Sequence, residues 1–176
     1  MPAALRVIIV SDTHGELDRR IAEQAMDSDI VVHAGDIGSG EVLDALTPPG
    51  GKLVAVRGNN DVPEKWQPEQ WPLLESLPWE ARLDLPGGEL VVVHGHRYGT
   101  PGRSHARMRR DYPQARAVVY GHSHLECLDQ SEAPWVLNPG VAGRVRTFGG
   151  PSYCLLRASA TRWDVERVRF ADGKER

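Results

Sequence analysis

Five of the seven histidines of this chain lie in short hydrophilic clusters, and each cluster follows an apolar run. The clusters are Ser11-Asp12-Thr13-His14-Gly15, Gly35-Asp36, Gly58-Asn59-Asn60-Asp61, His94-Gly95-His96 and Gly121-His122-Ser123-His124. Imidazole nitrogen together with carboxylate oxygen suits Mn, Fe, Co, Ni or Zn better than Ca or Mg, which prefer shells of oxygen alone. Such a group repels and desolvates itself when left alone, and a divalent ion resolves the conflict by binding neutral imidazoles and anionic carboxylates directly. Singly the clusters say little: Asp12 can cap a turn, Gly35-Asp36 is an ordinary turn and Gly58-Asn59 an ordinary loop. Gly121-His122-Ser123-His124 says more, because packing rarely calls for paired histidines in a tight loop. No serine or cysteine is placed as a nucleophile.

The elements between the clusters explain how they could meet. Leu5–Val10 is a nearly continuous apolar run, as a strand covered on both faces requires. Residues 17–25 carry Leu17, Ile21, Ala22 and Ala25 on one helical face. Ile30–His33 is a second strand, Gly40–Leu46 a short helix and 53–56 a third strand. This alternation predicts right-handed βαβ units and a parallel sheet, with ligands in the crevice beyond the carboxyl ends of the strands. After a loop over 61–78, Glu80–Leu85 and residues 90–94 predict a hairpin across Pro86-Gly87-Gly88-Glu89. A helix over 102–112 and strands at 117–120, 135–137, 153–157 and 162–170 complete two packed sheets with helices outside, in a single domain over residues 1–176.

In this order the clusters resemble the signature of the calcineurin-like metallophosphoesterases, D-x-H, G-D, G-N-x-[D/E], H and G-H-x-H. The Ser11-Asp12-Thr13-His14-Gly15 and His33-Ala34-Gly35-Asp36 forms are most similar to the small bacterial and archaeal phosphodiesterase branch. The resemblance covers nearly the whole chain and implies a four-layer α/β/β/α sandwich of the metallo-dependent phosphatase type. It implies two divalent transition-metal ions, manganese first and Fe, Ni, Co or Zn as alternatives. Asp12, His14 and His124 would hold one ion, Asn59, His94 and His122 the other, and Asp36 would bridge them; spacing alone does not divide His122 from His124. The implied activity is hydrolysis of a phosphate ester, a small phosphodiester first, by a hydroxide shared between two ions roughly 3.5–4 Å apart.

Many relatives carry histidine in the third block where this chain has Asn60, which donates a hydrogen bond but carries no proton at neutral pH. Asn60 and His96 are the candidate phosphate contacts, and diesters with good leaving groups are expected to be handled better than monoesters. The protein Ser/Thr phosphatase block G-D-x-x-D-R-G is absent, since Gly35-Asp36-Ile37-Gly38-Ser39-Gly40-Glu41 has no arginine. Scaffold modules of membrane-trafficking coats share the fold with eroded metal positions; here all seven positions carry competent residues.

Composition bounds the rest. The net charge of −3 does not favour a nucleic-acid partner or a nuclease-like activity. The basic run from Arg103 to Arg110 is read first as a solvated helix face, with His105 on the surface, and His33 as a hydrogen-bonded core residue. Trp66, Trp71 and Trp79 fit a loop pinned on the core, a base-stacking surface or a contact in a homo-oligomer, and the last is favoured. Cys127 and Cys154 form neither a disulfide framework nor a thiolate site. No apolar stretch approaches the roughly 18 residues of a membrane span, and the cytoplasm is the expected compartment.

Overall fold

A computed structural model describes residues 4–99, 101–143 and 149–172. Ten strands are described: β1 (Leu5–Val10), β2 (Ile30–His33), β3 (Lys52–Ala55), β4 (Glu80–Leu85), β5 (Gly88–Val93), β6 (Ala117–Val119), β7 (Cys127–Asp129), β8 (Trp135–Asn138), β9 (Ser152–Ala158) and β10 (Trp163–Arg169). The α-helices are α1 (Arg19–Ala25), α2 (Gly40–Leu46), α3 (Trp71–Ser76) and α4 (Pro101–Asp111). They form two five-stranded sheets, in the orders β10-β9-β1-β2-β3 and β4-β5-β6-β8-β7.

The layering follows from side-chain alternation along strands that are apolar on both faces. Val7 and Ile9 of β1, Leu90 and Val92 of β5, Ala117 and Val119 of β6 and Leu156 of β9 meet in the core between the sheets. The alternate residues Ile8 and Val10 turn outward against Ile21 of α1, Val42 and Leu46 of α2 and Leu74 of α3. Val91, Val93 and Val118 turn outward on the second sheet against Met108 of α4. Two helical layers thus enclose two sheets, which is the expected α/β/β/α sandwich. Each of the buried Val, Leu, Ile and Met side chains among these contributes about 1.5–3 kcal/mol of transfer free energy.

Two details differ from the sequence expectations. The hairpin turn is only Pro86-Gly87, because Leu85 pairs with Gly88 and Gly87 takes φ +88°. Proline followed by a residue of positive φ is the pattern of a type II turn. The segment over 61–78 is not merely a loop: it contains α3, whose proline falls in the first turn where no backbone donor is needed.

β1, β2 and β3 run parallel, as do β5, β6 and β8, so their carboxyl ends open together. The ladder continues past the strands, with Asp12 N donating to Gly35 O at 3.0 Å and His14 N to Asp36 O at 3.0 Å. Gly121 N donates to His94 O at 2.9 Å in the other sheet. The clusters are therefore held by backbone pairing before any side chain acts.

Candidate metal centre

Asp12, His14, Asp36 and His124 form one group whose ligand atoms all lie within 4.8 Å of one another. His14 Nε2 and His124 Nε2 are 3.2 Å apart, and His124 Nε2 is 3.3 Å from Asp12 Oδ1. His94 joins through Asp36, its Nε2 being 3.3 Å from Asp36 Oδ2. The His122 ring meets His94 edge-on, centroids 5.3 Å apart, and the His96 ring lies 5.7 Å from His94. Asn59 is exposed in the loop after β3. Asn60, next to it, donates to Asp36 Oδ1 from its backbone N and to Oδ2 from Nδ2, both at 2.8 Å, and accepts from Lys65 Nζ.

The second atoms of these side chains are already committed, which fixes what the first atoms offer. Asp12 Oδ2 accepts from Ser11 Oγ at 2.6 Å and from His122 N at 3.0 Å. Asp12 Oδ1 is buried with no hydrogen-bond partner. His94 Nδ1 donates to Ala34 O at 2.8 Å, which leaves the lone pair on Nε2, and that atom too is buried without a partner. Facing a carboxylate oxygen at 3.3 Å, that nitrogen is stabilised either by a proton or by a metal ion, which compete for the same lone pair. The donor set therefore fits a divalent transition metal, with His94 held in the ligating tautomer by its Nδ1 bond to Ala34 O.

Protonation of these groups competes with metal binding, and the neighbouring charges set the balance. Burial alone would push the Asp36 carboxyl up, but the neighbouring His94 and the Asn60 donors hold it well below the usual carboxylate range. Burial likewise favours neutral His94, yet Asp36 and Asp12 beside it win and raise its pKa. His96 and His122 shift downward, mainly through burial and then through His94, so both favour the neutral form that ligates.

Backbone conformation marks the same residues. The positive-φ non-glycine residues among those described are Asp12 (54°), His14 (49°), Asp36 (54°), His122 (66°) and His124 (59°). Side chains in that region cost of order 1–3 kcal/mol each, and such strain collects at functional sites. Gly121 allows the close approach on the far side, since a Cβ there would meet Asp12 Oδ2 at 2.6 Å.

Three supporting residues had no role from sequence. Asp61 is buried and accepts from Ile37 N (2.9 Å), Gly38 N (3.0 Å), Gly58 N (2.8 Å) and Trp66 Nε1 (3.2 Å), fastening the second and third clusters together. Asn138 donates to Gly121 O at 2.9 Å and to Ser123 Oγ at 3.0 Å and so shapes the last cluster. Thr13 Oγ1 donates to Ile37 O at 2.8 Å and sits 2.9 Å from His33 Nε2. Thr13 and Asp61 stand within strand-end clusters, whereas Asn138 ends β8 just before Pro139-Gly140.

His33 is the core residue that was expected. Its Nδ1 accepts from Gly35 N at 3.1 Å, and burial lowers its pKa from 6.5 to about 3. Between those values the unfolded chain takes up a proton that the folded chain refuses. The stability attached to neutral His33 is whole above about pH 6.5 and falls by up to about 1.4 kcal/mol per pH unit as the solution is acidified towards pH 3. In urea titrations of metal-free protein, the gap between wild type and His33→Gln should narrow at that rate from about pH 6 to pH 5. Parallel pH profiles would contradict this.

His105 is not a solvated residue. Its ring bridges Asp129 Oδ2 and Tyr120 Oη, each at 2.9 Å, while Arg109 of the same basic run pairs with Asp129 at 2.9 Å. Arg103 and Arg110 do face solvent. Of the tryptophans, Trp66 is buried and pinned on the core, whereas Trp71 and Trp79 are exposed.

A group of possible metal ligands at the strand ends of an α/β/β/α sandwich is the arrangement of a metallophosphatase-type fold, and the comparisons agree. The profile of the calcineurin-like phosphoesterase superfamily domain matches residues 5–161, and the chain belongs to that superfamily. It is 27% identical over 169 residues to the phosphodiesterase YfcE of Escherichia coli strain K12, covering 86% of this chain and 87% of the relative. It is 28% identical over 138 residues to the probable metallophosphoesterase MJ0623 of Methanocaldococcus jannaschii, covering 75% of this chain and 65% of that relative's length. Wild-type Vps29 from Entamoeba histolytica complexed with zinc has the same fold, with a TM-score of 0.70 at 16% identity over 94% of this chain and 99% of that one. No helix among the described residues is long and apolar enough to cross a membrane.

Proposed function

We propose that the protein is a metal-dependent phosphodiesterase of small substrates. Asp12, His14 and His124 would hold one divalent transition metal, Asn59, His94 and His122 would hold a second, and Asp36 would serve both. The observation that carries this reading is the pair of buried atoms without a hydrogen-bond partner, Asp12 Oδ1 and His94 Nε2, which face His124 Nε2 and Asp36 Oδ2 across 3.3 Å. When bound, two such ions supply an activated water nucleophile and neutralise charge on the phosphoryl oxygens.

The chain's own residues position and polarise. Ser11 and His122 N hold Asp12, Ala34 O fixes the His94 tautomer, and Asn60 orients Asp36. His96, 5.7 Å from His94 ring to ring, is the proposed contact for a phosphoryl oxygen. Both ends of the Asn60 amide are engaged, so this residue gives no proton to a departing alkoxide. Manganese is the first choice of ion.

Metal analysis of the purified protein, beside turnover of an aryl phosphodiester and its monoester with added manganese, tests the reading. Bound metal and a diester preference of at least about tenfold are expected. A protein that takes up no metal and is inert towards both esters is instead an interaction module on the same fold.

A further inference from the structure

A cavity of about 280 Å³ opens beside the metal-ligand cluster, between the loop after β5, the start of β4 and α4. His94 belongs to both, so cavity and cluster share a wall. The volume is near the lower limit of ligand pockets, roughly 300–1,000 Å³, and has room for one arm of an ester.

Its walls are chemically unequal. Trp79 lies at its mouth with 43% of its surface exposed, 5.8 Å from the His96 ring. The guanidinium carbons of Arg57 and Arg97 lie 5.0 and 5.5 Å from the indole centroid. Arg97 is exposed, and a cation over an exposed ring is a weak cover that a better stacking partner displaces. Glu80 and Asp111 line the side towards α4, and Glu80 accepts from Tyr112 Oη at 2.7 Å. His96 Nδ1 is buried without a partner beside the indole.

We infer that this cavity receives an ester arm ending in a flat aromatic ring, as in a nucleoside. The ring stacks on Trp79 and the phosphoryl group lies at His94 and His96. Imidazoles and Arg97 suit the anionic end. The carboxylates of Glu80 and Asp111, already paired with Arg82 and Arg110, keep further lone pairs for sugar hydroxyls and exocyclic amines. An alkyl arm offers the indole no face to stack on and brings the carboxylates no further donor. The inference rests on the phosphodiesterase reading and adds the class of substrate to it.

The test compares inhibition of manganese-supported aryl phosphodiester turnover by a nucleoside 5′-monophosphate and by methyl phosphate. The nucleotide should bind at least about tenfold more tightly, as stacking of one base implies. Trp79→Ala should bring the ratio of the two inhibition constants close to one, while Trp79→Phe keeps most of it. Quenching of indole fluorescence by the nucleotide, measured on metal-free protein, should be present in wild type and lost in Trp79→Phe. Equal inhibition by the two ligands in wild type, or a ratio that survives Trp79→Ala, overturns the inference. So does loss of a dimer in Trp79→Ala with the ratio unchanged, which assigns the residue to a contact between copies. Absence of any turnover sinks the phosphodiesterase reading instead, and the quenching measurement then still decides on the ring subsite.

Discussion

Asp36→Asn is expected to lower aryl phosphodiester turnover by more than about a hundredfold, because changes to an outer partner of a metal ligand already cost roughly 10–100-fold. The substitution keeps the volume and removes the charge that faces both His14 Nε2, at 3.9 Å, and His94 Nε2, at 3.3 Å. Every other candidate ligand belongs to one side of the group; this carboxylate touches both. Folding is a separate matter, since Asp36 accepts from Asn60 in a loop that Asp61 holds independently. Thermal unfolding separates the two effects. Manganese should raise the midpoint of wild type by mass action and leave that of Asp36→Asn nearly unmoved. A variant with more than a tenth of wild-type turnover, or one still stabilised by manganese to the same extent, would mean the residue is not a shared ligand.

Asp61→Ala is expected to cost about 4 kcal/mol or more in urea unfolding of metal-free protein. The estimate follows from leaving buried donors without acceptors, at about 1–3 kcal/mol each. The donors are the backbone N–H groups of Ile37, Gly38 and Gly58 and the Trp66 indole. That is a large share of the roughly 5–15 kcal/mol by which a domain is ordinarily stable. Asp61→Asn should lie between, since an amide oxygen can still serve the donors that now meet Oδ1 but its NH2 group opposes Gly58 N–H. An alanine variant within about 1 kcal/mol of wild type would show that the loops do not depend on this carboxylate.

These two aspartates also show what could be read from the chain and what could not. Asp36 was legible because it follows an apolar strand, after a glycine, in company with other strand-end clusters. Asp61 stood in one of those clusters too, but its role depends on backbone donors contributed by residues 23–24 positions earlier, and backbone groups leave no mark in a sequence. His105 was misplaced for a related reason: its partners, Asp129 and Tyr120, are 24 and 15 residues away and ordinary in type. The layers were legible because β1 and β5 are apolar at every buried position. That same uniformity hid the hairpin register, since a strand with two apolar faces gives no preferred phase to its pairing. α3 escaped because six residues with a proline near the start carry too short a period to distinguish from a loop.

The left-handed backbone at Asp12, His14, Asp36, His122 and His124 has an evolutionary corollary. A descendant released from selection for its chemistry would relax the chain by taking glycine at one of these positions, although at buried Asp12 or Asp36 it would forfeit the hydrogen bonds those carboxylates accept. The five polar side chains thus hold torsions that glycine adopts at less cost, a loss of stability that accompanies the donor atoms they bring together.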